Sequence, residues 1–190
     1  MAEAGLTALS IDDFLDRLAS DAPTPGGGAV AALAGAIAAS LGKMVCGLTI
    51  GKPKFVDVEP QVKQIASRLT RAALMLRRLI DEDAAAYGEL SATFKLDRSD
   101  PKRRERLTQT GGLAAAVPLE TVAVGRQVLG DLRRLEPIGN PNLRSDVEAA
   151  IHLVRAAMAA GAANVRVNLP LLPEAQAQRV DQELGRLLAD

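Results

Sequence analysis

The sequence predicts an all-α fold, a helical bundle of about six helices that associates as a homodimer. Three observations lead there. Nothing in the chain has the alternating pattern of a strand, whereas caps, apolar runs at helical spacing and Gly/Pro breakers follow one another from Ser10 onward. Hydrophobic residues make up 48% of the chain and aromatics only 2%, so the core must be Ala, Leu, Val and Ile packed helix on helix. Residues 26–50 are apolar on every side with Lys43 as the only charge, and a small domain needs a second subunit to cover such a helix. No repeat, linker or low-complexity stretch divides the 190 residues, so one domain over residues 1–190 is expected.

The elements follow in order. Ser10 caps a first helix reaching about residue 20, with Asp12 and Asp13 in its first turn. The second helix opens at the most unusual stretch of the chain, residues 23–32, PTPGGGAVAA. Thr24 is placed to cap it and Pro25 to take its first position. Three glycines then stand where Ala would be better. At up to about 1 kcal/mol each against Ala, Gly26, Gly27 and Gly28 together risk up to about 3. The offset is either a backbone packed very close or a ligand on bare amides at the positive helix end. This helix runs to about residue 50 and ends in the loop GKPKF, residues 51–55. A long third helix spans about 59–94. Asp100 and Pro101 cap and open the fourth, which Gly111, Gly112 and Pro118 are expected to break or kink before it continues to about 135. Residues 137–142, PIGNPN, form a turn. Ser145 and Glu148 make a capping box for a fifth helix reaching about 167, and Pro173 starts the last.

Composition excludes several function classes. Lys plus Arg and Asp plus Glu both number 23, so no nucleic acid or other strongly charged partner is expected. The one cysteine, Cys46, rules out an intramolecular disulfide framework and, far in sequence from the one histidine, is expected to be a buried apolar residue. Metal-ligand clusters, phosphate loops and nucleophile elbows are missing, so neither metal nor cofactor is expected. Residues 26–50 have the length of a membrane span, but Ala and Gly are weakly apolar and no basic flank marks a side; a buried bundle helix is the better reading. Glu3, Asp12 and Asp13 crowd the start where a leader would be basic and apolar, so the expected location is cytoplasmic.

The third helix carries the clearest anomaly. Its apolar stripe, in steps of three and four, is Val62, Ile65, Leu69, Ala72, Leu76, Ile80, Asp83, Tyr87, Leu90 and Phe94. Asp83 therefore falls on the core side. A carboxylate there must be paired or line a cavity, and burial would raise its pKa toward acid–base use. The other reading is a structural carboxylate bonded to a neighbouring helix end. Asp81 and Glu82 lie off the stripe and are expected in solvent. Lys52 and Lys54 follow the buried helix, either as partners of its negative end or as contacts for an anion or carbonyl. In GNPNLRSD, the residues Asn140, Asn142, Ser145 and Asp146 suit turn and capping roles, while Asn140 also suits the amide edge of a heterocycle. His152 is expected on a helix surface or interface.

Together the segments APTPGGGAVAALAGAIAASLGKMV, CGLTIGKPKF, LIDEDAAAY, VPL, GNPNLRSDV and GAANVRVNL resemble the cyclodeaminase/cyclohydrolase family of folate enzymes, in the family's order and over most of residues 22–169. The resemblance implies a homodimer with a reduced-folate site near the subunit interface and no cofactor beyond the tetrahydrofolate substrate. The implied activity is hydrolysis of 5,10-methenyltetrahydrofolate to 10-formyltetrahydrofolate. The alternatives are formiminotetrahydrofolate cyclodeamination and a helical interaction module that has lost activity. It also implies roles. Asp83 is the first choice for acid–base catalysis and Asp146 the second. Lys52 would raise local positive potential or hold a substrate oxygen. Gly26, Gly27 and Gly28 would offer amides to the pterin, with Lys54, Tyr87, Asn140 and Ser145 as further substrate contacts. The chain departs from the family at Leu96, Asp97 and Arg98, where Leu-Pro-Lys is frequent, and at the loop GKPKF. If that turn holds the glutamate tail, Arg98 or Arg103 takes its place.

Overall fold

The computed structural model describes residues 5–189; Glu3, part of the acidic start, lies outside them. Among the described residues are six α-helices, short 3-10 turns and no strand. The helices are α1 (Ile11–Ala19), α2 (Gly27–Gly47), α3 (Glu59–Phe94), α4 (Arg103–Leu135), α5 (Arg144–Asn168) and α6 (Glu174–Leu188).

The bundle is organised around α2. It packs most extensively against α3 and α5 and less against α4, and the α3–α4 and α4–α5 contacts complete a four-helix ring. Side-chain size explains the arrangement. α2 buries Ala29, Ala32, Ala36 and Ala39, residues with almost no reach, so its neighbours come close and fill the space with Ile65, Leu69, Leu76, Leu132 and Leu135. At Gly42 a Cβ would run into Leu132. Each fully buried Leu or Ile contributes roughly 1.5–3 kcal/mol relative to exposure. By length and hydropathy α2 meets the description of a membrane span. In this fold three helices cover most of it, leaving one open stripe at Ile37, Met44 and Leu48, each 41–48% exposed. Cys46 is fully buried on α2, and burial pushes its thiol up to about 11, far from a nucleophile's range.

Several ends differ from the sequence reading. α1 is capped as expected, with the Asp13 N–H donating to Ser10 Oγ at 3.1 Å. α2 has no side-chain cap: Gly26 is its N-cap, while Arg17 Nε donates to the Thr24 carbonyl at 3.0 Å and ties Thr24 back to α1. Asp100 makes an Asx turn, accepting from Lys102 N–H at 2.8 Å, so α4 begins later than Pro101. α4 is neither broken at Gly111 and Gly112 nor at Pro118. Leu171 packs where a Gly111 side chain would stand, and Asn168 Nδ2 donates at 2.9 Å to the Ala114 carbonyl that Pro118 leaves without its helical donor. Ser145 caps nothing, because α5 starts at Arg144; the preceding Pro141–Leu143 turn is closed by Asn142 N–H donating to Asn140 Oδ1 at 3.2 Å.

Two aspartates bind elements together. Asp81, partly exposed, is also bonded: Thr7 Oγ1 donates to it at 2.7 Å, pinning the Leu6–Ala8 turn onto α3. Asp131, only 3% exposed, receives Arg68 Nε at 2.9 and 3.0 Å and Arg68 Nη2 at 2.8 Å, joining α3 to α4. Arg134 Nη1, 3.4 Å from Asp131 Oδ1, is a second cation at this carboxylate, so losing Arg68 weakens the compensation of a buried charge without abolishing it. Arg68→Ala should therefore lower unfolding free energy by about 2–3 kcal/mol in urea titrations, while the double change Arg68→Met with Asp131→Leu should recover most of it.

Candidate functional site

Where α2 begins, the bundle opens into a cavity of about 420 Å³. That is within the size range of small-molecule sites. Gly26, Gly27 and Gly28 line one side, with Pro23 and Thr24 before them. α3 contributes Asp83, Tyr87, Leu90 and Phe94; α4 contributes Ala114; α5 contributes Asn164, Val167 and Asn168. Tyr87 and Phe94 stay 45% and 48% exposed although they lie on the apolar stripe, because the stripe runs past the packed core onto this wall.

The triple glycine now has a packing explanation. A Cβ on Gly28 would fall inside the Asp83 carboxylate. On Gly27 it would come within 3.0 Å of Asn164 Nδ2. On Gly26 it would meet nothing, so Gly26 leaves the helix end open to the cavity. Only a bare backbone lets Asp83 reach the first turn of α2, where the Ala29 N–H donates to it. Burial raises the Asp83 pKa above its ordinary value, and the Ala29 hydrogen bond pulls it part of the way back. Among the described residues no Lys, Arg or His lines the cavity to stabilise its charge.

The other sequence candidates sit elsewhere. Beyond the C-terminus of α2, Lys52 precedes the Pro53–Phe55 turn and Lys54 lies within it, Nζ 5.7 Å from the Phe55 ring centre. Asn140 N–H donates to Thr49 Oγ1 at 3.1 Å and its Nδ2 to the Leu48 carbonyl at 3.4 Å, so it ties the α4–α5 connection to that same end. Ser145 and Asp146 follow in the first turn of α5. The 21 residues of α2 separate these groups from Asp83 by roughly 30 Å within one chain. Arg98 and Arg103 are not on the cavity wall, and His152 lies on the surface beside Glu148. Asn164 and Asn168 escaped the sequence reading. Their signal was an i, i+4 amide pair near the end of α5, together with Pro118, whose orphaned carbonyl needs a donor from another helix.

A helical bundle with a cavity of this size and a half-buried carboxylate of raised pKa on its wall has the features of a small-molecule site. The formiminotransferase-cyclodeaminase family model matches residues 10–185. Methenyltetrahydrofolate cyclohydrolase of Methylorubrum extorquens is 37% identical over 186 residues, 95% of this chain and 89% of that protein. Formimidoyltransferase-cyclodeaminase of Rattus norvegicus is 30% identical over 88% of this chain, a match to 32% of its own length. The crystal structure of formiminotetrahydrofolate cyclodeaminase from Thermotoga maritima superposes with a TM-score of 0.85 at 31% identity, covering 95% of this chain and 88% of that one. The chain belongs to the formiminotransferase-cyclodeaminase family.

The raised Asp83 pKa fixes the sign of a pH effect. The folded state holds this proton more tightly than the unfolded chain, so ionising Asp83 costs stability as pH rises through its raised pKa. Asp83→Asn keeps the acceptor for Ala29 and removes the ionisation. Its Tm minus that of the parent should grow between about pH 4 and pH 7; a difference that shrinks over that range refutes the burial argument.

Proposed function

We propose that this chain is a folate one-carbon enzyme that hydrolyses 5,10-methenyltetrahydrofolate to 10-formyltetrahydrofolate, in the cytoplasm and with no cofactor beyond its substrate. The observation that carries the reading is Asp83, a half-buried carboxylate of raised pKa in a cavity with no cation on its wall among the described residues. The Methylorubrum extorquens cyclohydrolase, similar over nearly the full length of both chains, supports the hydrolase. The Thermotoga maritima cyclodeaminase keeps a second reading, release of ammonia from formiminotetrahydrofolate, on the same site.

The chemistry suits the wall. The methenyl carbon bridges N5 and N10 as a delocalised cation, which a carboxylate and the faces of Tyr87 and Phe94 attract. Asp83 takes a proton from water as its oxygen attacks that carbon. The tetrahedral carbon collapses, the bond to N5 breaks, and Asp83 returns the proton to N5. The hydroxyl proton leaves to solvent as the formyl group forms on N10. The raised pKa brings the carboxyl toward neutrality, where both transfers are efficient. Amides at Gly26 and Gly27, residues on the cavity wall at the start of α2, would meet a pterin oxygen.

We further propose the homodimer. Leu33, Ile37, Leu41 and Met44 of α2 and its C-cap Leu48 recur in steps of three and four, with Ser40 beside Leu41, the seam of a helix pair. The seam is its own complement. Around a two-fold axis between Ser40 and Leu41, Ile37 meets Met44 of the partner subunit and Leu33 meets Leu48 of the partner subunit. The same antiparallel pairing would bring the loop that carries Lys52 of the partner subunit toward the N-terminal end of α2, the end that holds Asp83. On this reading the basic loop that is remote within one chain supplies the anion contact that the cavity lacks.

Asp83→Asn should lose turnover by about 10²- to 10⁴-fold with reduced-folate affinity within roughly tenfold of the parent. Near-normal turnover in folded protein would remove Asp83 from the mechanism and leave Asp146 as the carboxylate to test. Mixing Lys52→Ala with Asp83→Asn should restore activity that neither has alone, because one of the two sites in a mixed dimer is then intact. A parent that light scattering finds as a fully active monomer would refute the dimer.

A further inference from the structure

Resting on the folate reading, we propose that Asn168 orients the substrate, its carboxamide oxygen accepting a hydrogen bond from an N–H of the reduced pteridine, and that Pro118 is what holds it ready. Proline inside α4 has no N–H, and its ring crowds the carbonyl four residues back. That carbonyl belongs to Ala114, on the cavity wall. Asn168 Nδ2 donates to it at 2.9 Å and donates at 2.9 Å to the Asn164 carbonyl of its own helix. A carboxamide has two N–H donors and one oxygen. Both donors of Asn168 are committed to backbone, on two different helices, so its side chain can neither flip nor swing freely. Any ligand reaching this amide meets Oδ1, an acceptor.

Acceptors also stand on the α3 and α5 walls, beside the Tyr87 hydroxyl and the glycine amides, which can donate. Asn164 commits a donor to the Ala160 carbonyl at 2.9 Å, Asp83 is an acceptor when ionised, and among the described residues no Lys, Arg or His lines the cavity. An acceptor held in place at Asn168 favours a ligand that presents an N–H there. A reduced pteridine carries N–H groups on its pyrimidine amide, its amino group and its saturated ring. The proline in α4 gives up one helical hydrogen bond and fixes a ligand acceptor in return.

The test compares Pro118→Ala, Asn168→Ala and the double variant, reading Tm by circular dichroism, tetrahydrofolate affinity by calorimetry, and KM against kcat with 5,10-methenyltetrahydrofolate. Pro118→Ala restores an N–H to the Ala114 carbonyl and releases one anchor of Asn168. It should melt no lower than the parent yet bind tetrahydrofolate about three- to tenfold more weakly, with KM rising more than kcat falls. Asn168→Ala should weaken binding about tenfold or more, and the double variant should match it, because the proline acts through the asparagine. If Pro118→Ala instead melts early, the affinity and KM of Asn168→Ala decide alone. A parent that binds while Asn168→Ala binds equally well overturns the role of Asn168 and leaves the folate reading standing. A parent that binds no tetrahydrofolate overturns the folate reading, and this proposal with it.

Discussion

The small side chains of α2 set the distances in this molecule. Ala29, Ala32, Ala36 and Ala39, with a glycine at position 42, let α3, α4 and α5 approach one central helix closely. Close packing then depends on the larger residues of the neighbours, since α2 offers little volume of its own. The same smallness continues to the first turn, where it serves a different end. With no Cβ at Gly28, the Asp83 carboxylate enters the space a side chain would fill and accepts from Ala29. The packing rule that builds the core thus also builds the cavity.

Two aspartates on apolar stripes show how environment divides structure from chemistry. Asp83 follows Leu76 and Ile80 on α3; Asp131 follows Val124 and Val128 on α4. Asp131 meets Arg68 in a bidentate pair and is a tie between helices. Asp83 meets one backbone N–H and an opening, and burial is the larger influence on its proton. A carboxylate paired with a guanidinium holds two helices together, whereas burial of Asp83 without a cation raises its pKa. Spacing alone marks both residues equally.

Pro118 and the Asn168 amide make a similar point about polar satisfaction. A proline within a packed helix orphans a carbonyl, and a buried carbonyl needs a donor. α5 supplies it from the cavity wall. The expectation of a broken helix failed because a neighbouring helix repaired the missing bond. On the far side, Asn140 spends its backbone N–H and amide on Thr49 and Leu48, which explains why it braces the bundle end and does not enter the cavity of its own chain.

Much was legible in the residues alone. The helix order, the Ala-built core, the cap at Ser10, the core-facing position of Asp83 and the oddity of three glycines all follow from local preference and period, which act over one or two helical turns. The family resemblance was carried by the same short segments. Tertiary structure decided what no local rule reaches. It set Asp81 against Thr7 and Arg68 against Asp131, groups far apart in sequence. It joined Asp83, Gly28, Asn164 and Asn168 at one end of α2 and left Lys52, Asn140 and Asp146 at the other. A sequence gives each helix its inward face, but which neighbours meet that face depends on crossing geometry and side-chain size across the whole bundle.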